Sequence, residues 1–167
     1  TEEARWKEVQ KNLDDAKANI KLEFTEFTDY SQPNQAVRDG DVDINAFQHY
    51  NYLENWNKEN SADLVSVADT YIAPIRLYSG TENGKNIYTS IKEIPKGGTI
   101  AVPNDPTNES RALYVLQSAG LIKLDTKDGQ LANVSNIKEN SKDLKISELD
   151  ASQTPSALPS VDAAVIN

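Results

Sequence analysis

The chain has 167 residues, 38% hydrophobic and 26% charged, a balance that builds one or two small domains with a core rather than a disordered polymer. Its formal net charge of −9 argues against nucleic acid as a partner. With no cysteine and one histidine, His49, disulfides, thiol chemistry and zinc sites built from cysteine or several histidines are excluded.

No run approaches the ~20 apolar residues of a membrane-spanning helix, and no leader pattern stands out. The sequence lacks methionine, starts inside a helical pattern and stops on an apolar run. We therefore expect a piece of a longer chain.

Trp6, Val9, Leu13 and Ala16 recur at helical steps and predict an amphipathic helix. Partial alternation over residues 20–27 predicts a strand. Residues 29–32 form a turn, Pro33 opens a short helix, and Gly40 closes it. A short strand is expected over 42–47 and a helix over 50–59. Further strands are expected over 63–68 and 72–78, with an exposed loop over 80–86.

In the second half, a short helix over 91–94 precedes Pro95, and a strand begins at Thr99. A helix over 107–119 places Leu113, Leu116 and Ala119 inward and is closed by Gly120. Short helices are expected over 134–140 and 153–158, and strands over 144–149 and 163–166. Alternating strands and helices predict an α/β fold with a largely parallel sheet. Near 71–78, two apolar runs follow each other around Pro74 without a helix between them. This predicts a crossover between domains, with the return near 161–167.

Few residues invite chemistry. Asp39, Asp41, Asp43 and Asn45 alternate like a calcium loop, but the glycine and glutamate that an EF-hand requires are missing in either register. A solvated turn is the better reading. His49 follows an expected strand, where ligands of open α/β sheets bind. It lacks a matched nucleophile, so hydrogen bonding to a ligand or to the backbone is favoured over catalysis. Tyr30, Phe47, Tyr50, Tyr52 and Tyr71 gather near expected strand ends and could line an apolar pocket. No phosphate-binding glycine loop occurs.

The stretch AVPNDPTNESRAL, residues 101–113, reads as strand, tight turn and helix start. Such a start suits an anion, and Arg111 could grip a carboxylate with two parallel hydrogen bonds. Spacing alone favours a capped surface helix with a solvated arginine.

Taken together, FTEFTDYSQPNQAVRDGDVDINAFQHYNYL, TIAVPNDPTNESRAL, LQSAGLIKL, the IKEN element and VDAAVIN resemble the methionine-binding lipoproteins, the NlpA family. These motifs are long and collinear, and they span almost the whole chain. The resemblance implies a two-lobed, type II periplasmic-binding-protein-like α/β fold, truncated here at both ends. Residues 1–78 would be a partial first lobe, 79–162 the second lobe, and 163–167 the return crossover. It also implies that Tyr30, Phe47, His49, Tyr52, Arg111 and Asn167 line a methionine site. Arg111 suits the ligand's α-carboxylate, Asn167 its polar end, and the aromatic residues its thioether.

The implied role is capture of L-methionine or a close analogue by lobe closure, with delivery to a membrane ABC importer and no chemistry on the ligand. Neither cofactor nor metal is implied. The implied location is the extracytoplasmic face of the cell membrane, held by a lipid anchor on a cysteine outside this chain. Capture of a methionine-containing dipeptide or another amino acid, or a sensor or adhesin role on the same fold, remain alternatives. Exposed edges of a partial lobe would invite pairing with a second copy.

Overall fold

The apolar run Thr99–Pro103 forms β4 in a computed structural model that describes residues 2–127 and 129–167. Ile100, Ala101 and Val102 are fully buried there, as expected of a strand covered on both faces. Before it come α1 (Glu2–Asp15), α2 (Gln32–Asp39), α3 (Tyr50–Asn60), β1 (Arg76–Ser79), β2 (Thr81–Glu82) and β3 (Lys85–Asn86). After it come α4 (Pro106–Ser118), β5 (Lys123–Leu124), β6 (Ile137–Glu139), β7 (Lys145–Leu149) and β8 (Ala163–Ile166).

Four strands form one sheet in the order β1-β8-β4-β7. β4 runs parallel to both β7 and β8, while β8 runs antiparallel to β1, with Arg76 opposite Ile166. The sheet is thus mixed, and its parallel part lies where the sequence places the βαβ pattern. α4 packs on it. Ala112, Leu113 and Leu116 are fully buried against Ile100, Val102 and Val165. Among the described residues, the buried members of this core all come from residues 94–165.

Three expected strands, 20–27, 42–47 and 63–68, form no regular element and pair with no strand among the described residues. A strand needs a hydrogen-bonded neighbour, which alternation cannot supply. In two of these segments a side-chain amide stands in for that neighbour. Gln10 accepts from Leu22 N at 2.6 Å and donates to Ile20 O at 3.0 Å. Asn57 accepts from Leu64 N at 3.1 Å and donates to Leu64 O at 2.7 Å.

The strand expected over 72–78 shrinks to Arg76–Ser79, the only part that meets β8. The loop expected over 80–86 is a hairpin, with Asn83 (φ 50°) and Gly84 (φ 74°) between β2 and β3. Both central residues have positive φ, as a type I′ turn requires, and Asn-Gly is its sequence signal. The helix expected over 134–140 is a 3₁₀ turn (Val134–Asn136) followed by β6. The one over 153–158 resolves into two 3₁₀ turns, Ala151–Gln153 and Leu158–Ser160.

Candidate functional site

α4 begins at the turn that the sequence singled out. Asp105 is its N-cap and Pro106 occupies the first turn, a pairing that matches the orphan N–H groups and fixed φ of a helix start. The Asp105 carboxylate accepts from Asn108 N at 3.0 Å and from Thr107 Oγ1 at 2.9 Å. This corrects the anion reading of the bare helix start, because the chain's own carboxylate already occupies it.

Arg111 lies one turn further on and is half-buried. Its Nη1 donates to Asn108 Oδ1 at 2.8 Å. Among the described residues the guanidinium makes no ion pair and no other hydrogen bond. Burial pulls its pKa below the ordinary arginine value, while Asp105 and Tyr30 pull the other way. The result is a desolvated cation with donors to spare, which is what a carboxylate receptor needs.

α3 supplies the facing group. His49 is its N-cap, and its Nδ1 accepts from Tyr52 N at 3.1 Å. On the other side of the ring, His49 Nε2 lies 3.1 Å from Asn108 Oδ1. Tyr30, Phe47 and Tyr52 form a triangle with ring centroids 5.5–6.3 Å apart and tilted or edge-to-face planes, the geometry that aromatic quadrupoles favour. The Tyr52 hydroxyl donates to Tyr30 O at 2.8 Å. Burial, reinforced by Asp105 and Asp29, pushes its pKa up to about 12. Asn167 closes the group, its Nδ2 donating to the Tyr30 hydroxyl at 3.3 Å.

The structure therefore gathers all six expected residues into one connected group, Tyr30, Phe47, His49, Tyr52, Arg111 and Asn167. Of the other aromatic residues considered, Tyr50 donates from its hydroxyl to Asp69, and Arg5 lies over the Tyr71 ring at 4.1 Å. Both sit outside this group. A recess of about 100 Å³ opens between Tyr30 and Tyr52 and the residues Asn104, Asp105 and Asp150. Arg111 also borders a shallower depression of about 350 Å³ with Ile75, Tyr114 and Val115.

Sequence reasoning missed two features. Asn108, which the sequence places only within the turn and helix start of residues 101–113, joins His49 to Arg111. Asn34, fully buried, exchanges amide hydrogen bonds with Gln48 at 2.6 and 2.8 Å and accepts from Asn45 at 2.9 Å. This amide knot fixes the segment that carries Phe47 and His49. It also shows where Asn45 goes, which the turn reading left open. The only available signal was the run of amide residues around Pro33 and Gln48.

A family model described as NlpA lipoprotein matches residues 1–167. The chain is 44% identical over 165 residues to a probable D-methionine-binding lipoprotein MetQ of Vibrio cholerae, covering 99% of this chain and 59% of that protein. It is 43% identical over 162 residues to the D-methionine-binding lipoprotein MetQ of Escherichia coli, covering 96% of this chain and 58% of that one. It thus spans somewhat over half the length of these curated relatives. Among solved structures, the substrate-binding protein of a methionine transporter from Streptococcus pneumoniae superposes with a TM-score of 0.96 at 67% identity, over 99% of this chain and 63% of that one. A nutrient-binding protein from Burkholderia cenocepacia bound to methionine gives 0.87 at 45% identity, over 99% and 67%. These relatives are named as methionine- or nutrient-binding proteins, one of them as the substrate-binding protein of a methionine transporter, and the α/β architecture here is that of substrate-binding proteins. The chain belongs to the NlpA lipoprotein family.

Proposed function

We propose that this chain is part of a lipid-anchored, extracytoplasmic binding protein. It captures methionine, as either isomer or as a close analogue, and hands it to an ABC importer. One observation carries the reading. Arg111 is half-buried and has unmade donors, and it stands beside an aromatic triangle to which Asn108 and His49 connect it. A cation with spare donors next to apolar aromatic faces fits a ligand with a carboxylate at one end and a thioether at the other. Relatives named for D-methionine and a neighbour bound to methionine support the same ligand class.

In this reading residues 1–78 belong to a first lobe, 79–162 form the second, and 163–167 return to the first. Closure would pivot on the paired β1 and β8, as hinge motions use a few residues at element ends. The 167 residues hold no cysteine, so a lipid attached through cysteine would sit on residues outside them. Titration calorimetry tests the function on the chain together with any residues that flank it in its gene. Heat with L- or D-methionine supports the proposal. Heat only with methionine dipeptides would redirect it to peptide capture, and no heat with any of these or with methionine sulfoxide would sink it.

A further inference from the structure

We infer that Asn108 is a positioning residue. Its single carbonyl oxygen ties the histidine side of the site to the arginine side and dictates which ring nitrogen of His49 carries the proton. The geometry stands alone, and only the affinity readout below rests on the methionine reading.

The hydrogen placement follows from donors and acceptors one at a time. Asn108 Nδ2 lies 3.1 and 2.9 Å from the two Asp105 oxygens. An ionised carboxylate only accepts, so the amide nitrogen must face Asp105 and the carbonyl oxygen must face away. That oxygen takes a hydrogen from Arg111 Nη1 at 2.8 Å. It also lies 3.1 Å from His49 Nε2, and since it cannot donate, Nε2 must be the protonated nitrogen. His49 Nδ1 then accepts from the Tyr52 backbone N–H at 3.1 Å, an N–H that also reaches His49 O at 3.0 Å. The two contacts of the ring agree on one tautomer, with the His49 proton on Nε2.

This relay has consequences that neither end would have alone. Asn108 is buried, at 2% exposure, so water cannot replace it cheaply. It anchors the N-terminus of α3 to the first turn of α4 through side chains 59 residues apart. One donor of Arg111 is committed to Asn108, which holds the guanidinium plane and leaves the other donors for a ligand. Without the Asn108 oxygen, nothing selects the His49 tautomer except the Tyr52 amide, and Arg111 loses its orienting partner.

Imidazole ¹⁵N spectra and methionine calorimetry on the same protein test this. In the unsubstituted protein we expect one His49 tautomer, with the hydrogen on Nε2. In Asn108→Ala we expect altered Nε2 hydrogen bonding and methionine binding about tenfold or more weaker, the usual range for losing a hydrogen bond to a charged group. Asn108→Ser keeps an oxygen at the site and should recover part of both. If the alanine variant does not fold, the unsubstituted spectrum and the serine variant decide. An Nδ1–H tautomer in the unsubstituted protein overturns the inference. So does an alanine variant whose His49 resonances and affinity are unchanged. A purely structural role would lower the melting temperature while leaving the His49 signature intact. If methionine does not bind at all, the functional proposal fails, yet the spectra still judge the relay.

Discussion

Tyr30 and Asn167 lie 137 residues apart in sequence, yet Asn167 Nδ2 donates to the Tyr30 hydroxyl at 3.3 Å. The contact joins the end of β8 to the turn that opens α2. It completes the ring of residues around the aromatic triangle.

A double-mutant cycle checks that contact. Tyr30→Phe keeps the ring and its packing on Phe47 but removes the hydroxyl. We expect it to cost about 0.5–1.5 kcal/mol in ligand binding, the net value of one neutral hydrogen bond. Asn167→Ala should cost a similar amount, and the two should fail to add by at least ~0.5 kcal/mol. Strict additivity in calorimetry would mean that the two side chains act independently.

Arg111→Ala removes the proposed carboxylate partner. Truncating one member of a desolvated charge pair costs roughly 2–5 kcal/mol, so methionine affinity should fall about 30-fold or more. Arg111→Lys keeps the charge but not the planar fork, and should fall between the two. Unchanged affinity in the alanine variant would remove Arg111 from the site.

The Tyr52 phenol titrates late because burial disfavours its phenolate, with a pKa near 12 against an ordinary 10.0. The folded-state value lies above the unfolded one. The stability it contributes is therefore fully present below pH 10 and is lost as pH rises through about 12. Alkaline titration followed by phenolate absorbance should show a late-ionising tyrosine that Tyr52→Phe removes. The same variant should flatten the loss of stability in that window. An unaltered late phase would assign it to another tyrosine.

Glu109 points into the protein from the first turn of α4 and accepts from Val134 N at 2.9 Å. Burial raises its carboxyl above the ordinary 4.5, with Glu148 and Asp105 adding to the effect and the Val134 N–H opposing it. A raised folded-state pKa gives a contribution present below the unfolded value and lost as pH climbs past the folded one. Glu109→Gln keeps an acceptor for Val134 without a charge. It should melt higher than the unsubstituted protein at neutral pH, with the gap closing below pH 4.5. A lower melting temperature at neutral pH would show that the carboxylate charge is needed there.

The sequence by itself determined what depends on neighbours in the chain. Asp105-Pro106 before a helical pattern marked the start of α4, Gly40 (φ 80°) and Gly120 (φ 73°) marked helix ends, and the apolar runs of β4 and β8 marked the buried strands. The six residues proposed for the site could be named because they lie in long ordered motifs that resemble a family, not because their spacing revealed a pocket. Tertiary structure alone decided what depends on partners distant in sequence. Segments 20–27 and 63–68 look like strands, but pairing is a contact between two segments, and here Gln10 and Asn57 supply it instead. Asn108 looks like an ordinary cap residue, because a side-chain amide shows nothing of its far partner. Only when α3 is folded against α4 does one oxygen stand between His49 and Arg111.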